Sequence, residues 1–483
     1  MSRTRAALLA PALTLALLAG CATNPVTGER ELMLVSERQE ADLGRDGDRE
    51  VVAQYGVVED PALQRYVEEL GQRLVAVSHR PNMSFTFRVL DDPVVNAFAL
   101  PGGFVYVTRG ILPYLQREGA LALVLGHEVG HVTARHGAQR LTRQHLLGLG
   151  IGVSSLLGER FAVVTGLASA GGQLLLLSYG RDDERQSDQL GVTYGTRAGF
   201  DTSDGAAFFE ALQRLSGDRG ALPSWASTHP DPGERSETVR RLSREARREA
   251  GAAPPPGDRE AFLRRLEGLV FGQDPRQGYI ERGWLNHPDL RLRFPIPGGW
   301  RVHNMASQVQ LTSSDGKRAM IMAIVAAATP TEAADRFEDQ EEVSVHDRAD
   351  LQLNGFTATR LTATIRTAGG EVGALSTFVA KDGRVFAFHG LAEPPDMPEA
   401  RQTLAAIAEG FEALTDPQAL AMQPAVLHVV EASRTATFRE LASEWPLPEG
   451  VSLGLEGLAL INGIGPDETV TRGTLLKVLR RRN

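Results

Sequence analysis

LGHEVGHVTARHG, residues 125–137, carries three histidines, at positions 127, 131 and 136, and their spacing decides what the surrounding chain must be. From Glu118 to His136 there is no proline, and Leu121, Val124, Leu125, Val129 and Val132 recur at spacings of three and four. With Gly137 standing where helices commonly end, the pattern predicts one helix over 118–136. On it His127 and His131 share a face and both reach one ion, at zinc–nitrogen distances of about 2.0–2.1 Å. Glu128, one residue along, leans over the same site without being a ligand, as a general base for a metal-bound water does. His136 is rotated from His127 by about 180° at about 3.6 residues per turn, so it is not the third ligand on this helix.

A second segment supplies what is missing. LLLLSYGRDDERQSDQLG, residues 174–191, offers Glu184 and Asp188 on one helical face. Two histidines and one glutamate hold zinc with a position left open for water, the catalytic arrangement rather than the closed structural one. A chance HExxH and a hydrogen-bonded pair of core histidines are the plain alternatives, and the second acidic helix weighs against both.

The 483 residues exceed one ordinary core and suggest about two to four domains. With 42% hydrophobic and 23% charged residues the composition is that of a soluble globular protein. A net charge of -9 argues against a nucleic-acid partner, which calls for a basic domain or stripe. MSRTRAALLAPALTLALLAGCATNP, residues 1–25, has two arginines, an apolar run from Ala6 to Leu18 and small residues before Cys21. It reads as a secretory signal over 1–20, too short and wrongly flanked for a membrane span. Cys21 is the only cysteine, so no disulfide forms within the chain.

The segments NPVTGERELMLVSERQE, NAFALPGGFVYVTRGIL, GHEVGHVTARH, ERQSD and STHPDPGER follow one another between Asn24 and Arg241. In that order they resemble the bacterial lipoproteins of the M48 zinc metallopeptidase family, which also contains the CAAX-prenyl and HtpX-type proteases. The resemblance implies one Zn2+ per chain, held by His127, His131 and Glu184, with Glu128 as catalytic base and Asp188 supporting the metal site from behind. Many members have Glu-Ala-Asp where this chain has Gln186, Ser187 and Asp188, and the ligand and support positions are kept. The resemblance also implies an edge strand at Asn96, Ala97 and Phe98 on which an extended substrate lies; an ordinary hairpin packing the helix is the alternative. His229 and Arg235 match a family loop whose histidine either caps the zinc as a removable fourth ligand or sits near the oxyanion, although a lone loop histidine is more often solvated. Leu18–Cys21 resembles a lipobox, which implies lipidation of Cys21; Ala22 after it implies the outer membrane.

The apolar stretch from Leu146 to Leu177 is divided by Glu159 and Arg160. It reads as a buried or protein-facing helical pair, with a surface for unfolded clients as the other reading. Beyond a Pro/Gly break at Gly251–Gly257, Ala261–Val270 is helical, and from Leu290 to about Leu414 the period becomes two, with Asp-Gly hairpin signals at 315–316 and 382–383. Val426–Arg480 resembles a degenerate LysM module, with Asn462 and Gly473 at its turns, and glycan binding and plain packing stand level there.

The expected fold class is therefore α+β: a mostly helical zincin-type peptidase domain with a small edge-strand sheet, then a small α+β domain and a LysM-like βααβ module. The expected boundaries are 1–20 signal, 21–250 peptidase, 251–287 linker and closing helix, 288–415 accessory domain and 424–483 LysM-like domain. The expected function is a zinc endopeptidase acting on misfolded or unassembled envelope proteins in the bacterial periplasm, lipid-anchored to the outer membrane and touching peptidoglycan through its last module. A chaperone-like assembly factor and a peptidoglycan-binding lipoprotein with little proteolysis are the alternatives.

Overall fold

The computed structural model describes residues 21–146, 179–219, 225, 229, 232–249, 251, 257–367 and 370–482. The signal at 1–20 and nearly all of the apolar stretch 146–177 lie outside them. Among the described residues no helix is long and apolar enough to cross a membrane.

A short hairpin, β1 (Cys21–Thr23) and β2 (Arg30–Leu32), leads into α1 (Glu37–Tyr55) and α2 (Pro61–Ala76). Each helix begins where its sequence says it should: Ser36 and Gln39 form a capping box, and Asp60 caps a helix with proline in its first turn. Then come β3 (Thr86–Leu90), β4 (Ala97–Leu100) and β5 (Phe104–Thr108), in the order β3-β5-β4, with β4 at an edge. Gly102 and Gly103, at φ 85 and 94, make the turn between β4 and β5.

α3 runs Glu118–Thr133 and is buried along nearly its whole length. The single helix expected over 118–136 is instead two. The chain breaks at Arg135, which adopts φ 60, and α4 (His136–Leu146) starts afresh. A left-handed arginine is strained, and here buried contacts hold it: Nε donates to Glu40 Oε2 at 3.0 Å and Nη2 to the Val35 carbonyl at 3.0 Å. Gly137 consequently lies inside α4, not at a helix end.

α5 (Arg181–Arg197) packs against α3, and the contact is glycine-made. A Cβ on Gly191 would stand 2.9 Å from the His127 nitrogen, and one on Gly130 would stand 3.2 Å from the Ser187 Cα. Only side-chain-free positions let the backbones approach this closely, and that approach brings the two histidines of α3 beside the two carboxylates of α5. α6 (Gly205–Arg219), α7 (Pro232–Glu249) and α8 (Arg259–Arg265) complete this part.

The next region is built of strands. β6 (Tyr279–Glu281), β7 (Trp284–His287) and β8 (Leu292–Pro295) form a small antiparallel sheet in which a later strand, β16 (Glu412–Ala413), pairs with β8. This sheet starts at Tyr279, ahead of the expected boundary at 288; a three-residue strand is too short to show its period. A seven-stranded antiparallel sheet follows, from β9 (Arg301–Asn304), β10 (Gln308–Thr312), β11 (Arg318–Val325), β12 (Val343–Leu353), β13 (Phe356–Thr367), β14 (Gly370–Lys381) and β15 (Arg384–Ala392). α9 (Pro330–Glu338) and α10 (Met397–Glu409) cover its opposite faces, because successive residues point to opposite sides: Val385 and Ala387 pack with Phe337 of α9, whereas Phe386 and Phe388 pack with Leu404 of α10. Asp382 and Gly383, at φ 51 and 73, form the tight turn predicted there.

The C-terminal segment runs β17 (Ala425–Glu431), β18 (Ala436–Thr437), α11 (Phe438–Ala442), α12 (Leu455–Ile461), β19 (Thr469–Val470) and β20 (Leu475–Arg481), with β17 antiparallel to β20. The strand–helix–helix–strand order is present, and the segment shares its core with the peptidase part: Phe438, Leu458 and Ile461 belong to the same buried cluster as Leu121 and Leu125. Lys477 is fully buried and donates to the carbonyls of Pro113 at 2.6 Å and Leu115 at 2.9 Å. Burial pushes its ammonium pKa well down.

Candidate active site

His127 and His131 project from α3, Glu184 and Asp188 from α5, and His229 from the segment before α7; all five are buried. One donor atom from each of His127, His131, Glu184 and His229 lies within 4.8 Å of the others. The separations are 3.0 Å between the two α3 Nε2 atoms, 3.5 Å from each of them to Glu184, 3.3 Å from His127 Nε2 to His229 Nδ1 and 2.8 Å from Glu184 Oε1 to His229 Nδ1. A tetrahedral centre with bonds of about 2.0–2.1 Å has edges of about 3.3–3.4 Å. Several of these separations are near that edge length, the two to Glu184 being to its different oxygens, so the four residues form a cluster that could hold one metal ion.

The hydrogen bonds behind the ligands fix which nitrogen carries the proton. His127 Nδ1 lies 3.0 Å from Asp188 Oδ1, a carboxylate that only accepts, so Nδ1 donates and Nε2 keeps its lone pair. His131 Nδ1 lies 3.0 Å from His136 Nδ1, and His136 Nε2 lies 2.8 Å from Gln186 Oε1. With Oε1 accepting from Nε2–H, His136 Nδ1 accepts from His131, whose Nε2 is likewise bare. The two Nε2 atoms stand 3.0 Å apart, and the repulsion of their lone pairs is relieved either by a proton on one of them or by a metal cation between them.

Electrostatics point the same way. Burial opposes charge on His127, yet the carboxylates of Asp188 and Glu184 outweigh it and push its pKa up to about 9. Burial holds His131 well below its ordinary value. Burial would raise Glu184, but the three histidines around it, His229 first, hold it far below the carboxylate range. Arg235 neutralises the rear of the site: Nε donates to Asp188 Oδ2 at 2.9 Å, Nη1 lies 3.1 Å from Glu184 Oε2, and the guanidinium stacks over Trp225 and Phe209 at 4.4 and 4.6 Å from their ring centres. Arg235 thus faces the carboxylates of Asp188 and Glu184, although its Nη1 makes no hydrogen bond.

Glu128 is different. Both its carboxylate oxygens are buried without a hydrogen-bond partner, the nearer being 3.5 Å from His229 Nε2, which is also unpartnered. Burial raises the Glu128 pKa, as a proton-accepting carboxylate requires.

Ala97 and Phe98 begin β4 beside this centre, and Asn96 directly precedes it. Thr108 N donates to the Asn96 carbonyl at 3.0 Å, so pairing alternates from Asn96 to Phe98, and Ala97 and Ala99 turn their backbone groups to the outer edge, where Ala97 N already donates to Asn96 Oδ1 at 3.0 Å. The Val95 carbonyl, on that same edge, accepts from Trp225 N at 3.1 Å, and the Trp225 ring stacks on His229 at 4.9 Å. Sequence reasoning missed Trp225, the relay through His136 and Gln186, and Tyr179, whose ring lies 3.7 Å from that of His131. No spacing rule points to Trp225 or Tyr179. His136 was visible, but only the break at Arg135 turns it back toward His131.

Helix-borne histidines, a carboxylate ligand from a second helix and an unpartnered glutamate beside them define a metallopeptidase-type centre. Residues 61–243 match Peptidase family M48, and this segment is an M48 peptidase domain. Over 218 residues the chain is 30% identical to the mitochondrial metalloendopeptidase OMA1 of Schizosaccharomyces pombe, covering 44% of this chain and 64% of that one. Over 197 residues it is 33% identical to a putative beta-barrel assembly-enhancing protease of Vibrio cholerae, covering 39% and 41%. The chain thus spans less than two thirds of the length of either relative. Among solved structures, cyanobacterial PsbP from Synechocystis is similar over 28% of this chain and 91% of its own, at 14% identity and a TM-score of 0.23; no argument rests on it.

Proposed function

We propose that the protein is a zinc-dependent endopeptidase that cleaves misfolded or unassembled envelope proteins. The observation that carries this reading is Glu128, a buried carboxylate without a partner, beside four donor atoms that lie within 4.8 Å of one another. His127, His131 and Glu184 hold the ion, which supplies Lewis acidity toward a peptide carbonyl and acidifies water. Asp188 and His136 lock the two ligand imidazoles with Nε2 bare. Glu128 takes a proton from the attacking water and returns it to the leaving amine. The outward carbonyl of Ala97 and the outward backbone groups of Ala99 hold the substrate as an added strand, which favours extended chains over particular sequences.

His229 gives the resting state. With an ion held by His127, His131 and Glu184, His229 Nδ1, 3.3 Å from His127 Nε2, would serve as a further ligand, while Trp225 N bonds the Val95 carbonyl at the end of the substrate edge. We assign it as a removable cap.

The envelope assignment draws on the relatives named for beta-barrel assembly. Within it we place the chain in the periplasm, anchored to the outer membrane by lipid on Cys21. The hairpin that begins there is tied to the catalytic part, since Asn24 Nδ2 donates to the Ala134 carbonyl at 3.3 Å. The 424–483 segment is proposed as a LysM-like peptidoglycan contact on its element order alone, to be checked by sedimentation with peptidoglycan sacculi.

The test is casein cleavage by the mature, lipid-free chain beside Glu128→Gln, with zinc measured on both. Wild type should cut and the variant should bind zinc without cutting. Zinc on both with no cleavage by either, even after His229→Ala, would move the assignment to a client-holding assembly factor.

A further inference from the structure

A cleft of about 1000 Å³ opens where three parts of the chain meet. Its walls are Pro93–Val95, just ahead of the substrate edge at β4; Val270–Gly272 and Tyr279–Arg282, around β6; and Glu449–Leu453 of the C-terminal segment. Val94 and Val95 line it and run directly into Asn96 and β4, so a chain lying along the outer edge of β4 and leaving past Val95 would come to it.

The chemistry of the walls selects one kind of occupant. Val94 and Ile280, at 38% and 54% exposure, are two of the four exposed large hydrophobics among the described residues, and both line this cleft. Phe271, Leu453 and Met422 line it too. Two of its three arginines are already engaged, Arg109 by Asp91 and the carbonyls of Val270 and Gly272, and Arg481 by the carbonyls of Gln423 and Glu449; the third, Arg282, is exposed and shares the walls with Glu281, Asp416 and Glu449, so the charges are mixed and no one sign selects the occupant. A strand edge is also present. β6 ends its sheet, and Glu281 and Trp284 flank a turn at Arg282 and Gly283 with φ 50 and 79, so they form a bonded pair. By alternation the N–H and C=O of Ile280 face outward. An open strand edge beside apolar side chains fits an extended apolar polypeptide, held by backbone bonds and shape and not by charge.

We propose that this cleft is an exosite for an extended apolar segment of the same unfolded polypeptide whose scissile bond lies at the metal centre. The proposal rests on the peptidase reading and adds a length requirement: chains that reach both places are bound more tightly than chains that reach only one.

The test compares the mature chain with Val94→Asp/Ile280→Asp, both positions being exposed and outside the catalytic set. On casein the double variant should raise KM about tenfold with kcat unchanged. On a quenched hexapeptide, about 20 Å long when extended, kcat/KM should not move. An unchanged KM for casein, or an equal loss on both substrates, overturns the proposal. A second arm needs no turnover: in the Glu128→Gln background, fluorescence anisotropy of a labelled 20-residue apolar peptide should show about tenfold weaker binding once the two aspartates are present, and equal binding overturns the exosite. If wild type cuts neither substrate, the peptidase reading falls and this binding arm alone decides the cleft.

Discussion

His131 and His136 face each other through their Nδ1 atoms at 3.0 Å, with Gln186 Oε1 closing the chain 2.8 Å from His136 Nε2. One proton lies between the two imidazoles, and the amide decides on which ring. His136 is thus a positioning residue for a ligand, and its value is an acceptor at the Nδ1 place. His136→Ala should weaken zinc binding about 10- to 100-fold in chelator competition. His136→Asn, which sets an amide oxygen close to the Nδ1 place, should restore most of that loss. Equal affinity in all three proteins would remove His136 from the metal site.

His229 should restrain the resting enzyme, since its ring stands where substrate or water must come. His229→Ala should raise kcat/KM on casein several-fold while the zinc content stays at one per chain. A fall in kcat with an unchanged KM would reassign His229 to the reaction itself, as a donor to the developing oxyanion.

How far the sequence reached is clearest at this centre. Spacing put His127, Glu128 and His131 on one helix and Glu184 and Asp188 on another, and the structure has helices over both stretches, because a period of about 3.6 residues is a local property. The break at Arg135 was not legible: its left-handed backbone is held by Glu40 and Val35, which are far away in sequence. The glycine contact between α3 and α5 was likewise hidden, because Gly126, Gly130 and Gly191 carry no pattern until the partner helix is known. In the sheet region period two and Asp382-Gly383 were readable, whereas β6 and β7 were too short to announce themselves. The shared core of the C-terminal segment was also out of reach, since composition does not say which surfaces meet.

That shared core makes Lys477 a structural keystone. Lys477→Ala would leave the carbonyls of Pro113 and Leu115 without their buried donor, at a cost of about 1–3 kcal/mol for each group left unpaired. The expected result is a lower midpoint in urea denaturation, with tryptophan fluorescence and far-UV circular dichroism shifting together through the transition that melts the peptidase part. An early separate transition, with peptidase activity intact after it, would show that the C-terminal segment folds apart from the rest.

Acid should weaken the strand-rich region through two histidines. Burial lowers the pKa of both His287 and His389 from about 6.5 to about 4. His389 is partly buried between the rings of Phe337 and Phe378, with Nδ1 bonded to Ser376 Oγ at 2.9 Å. Between those two values the unfolded chain binds a proton that the folded chain refuses, so stability rises with pH there and falls as pH drops from about 6.5 toward 4. From pH 7 to pH 5 each histidine should cost about 1–2 kcal/mol. Urea midpoints of wild type should therefore fall over that interval, and His389→Gln should fall less. A His389→Gln protein as acid-sensitive as wild type would show that the ring is already protonated in the fold, with its charge accommodated beside Ser376.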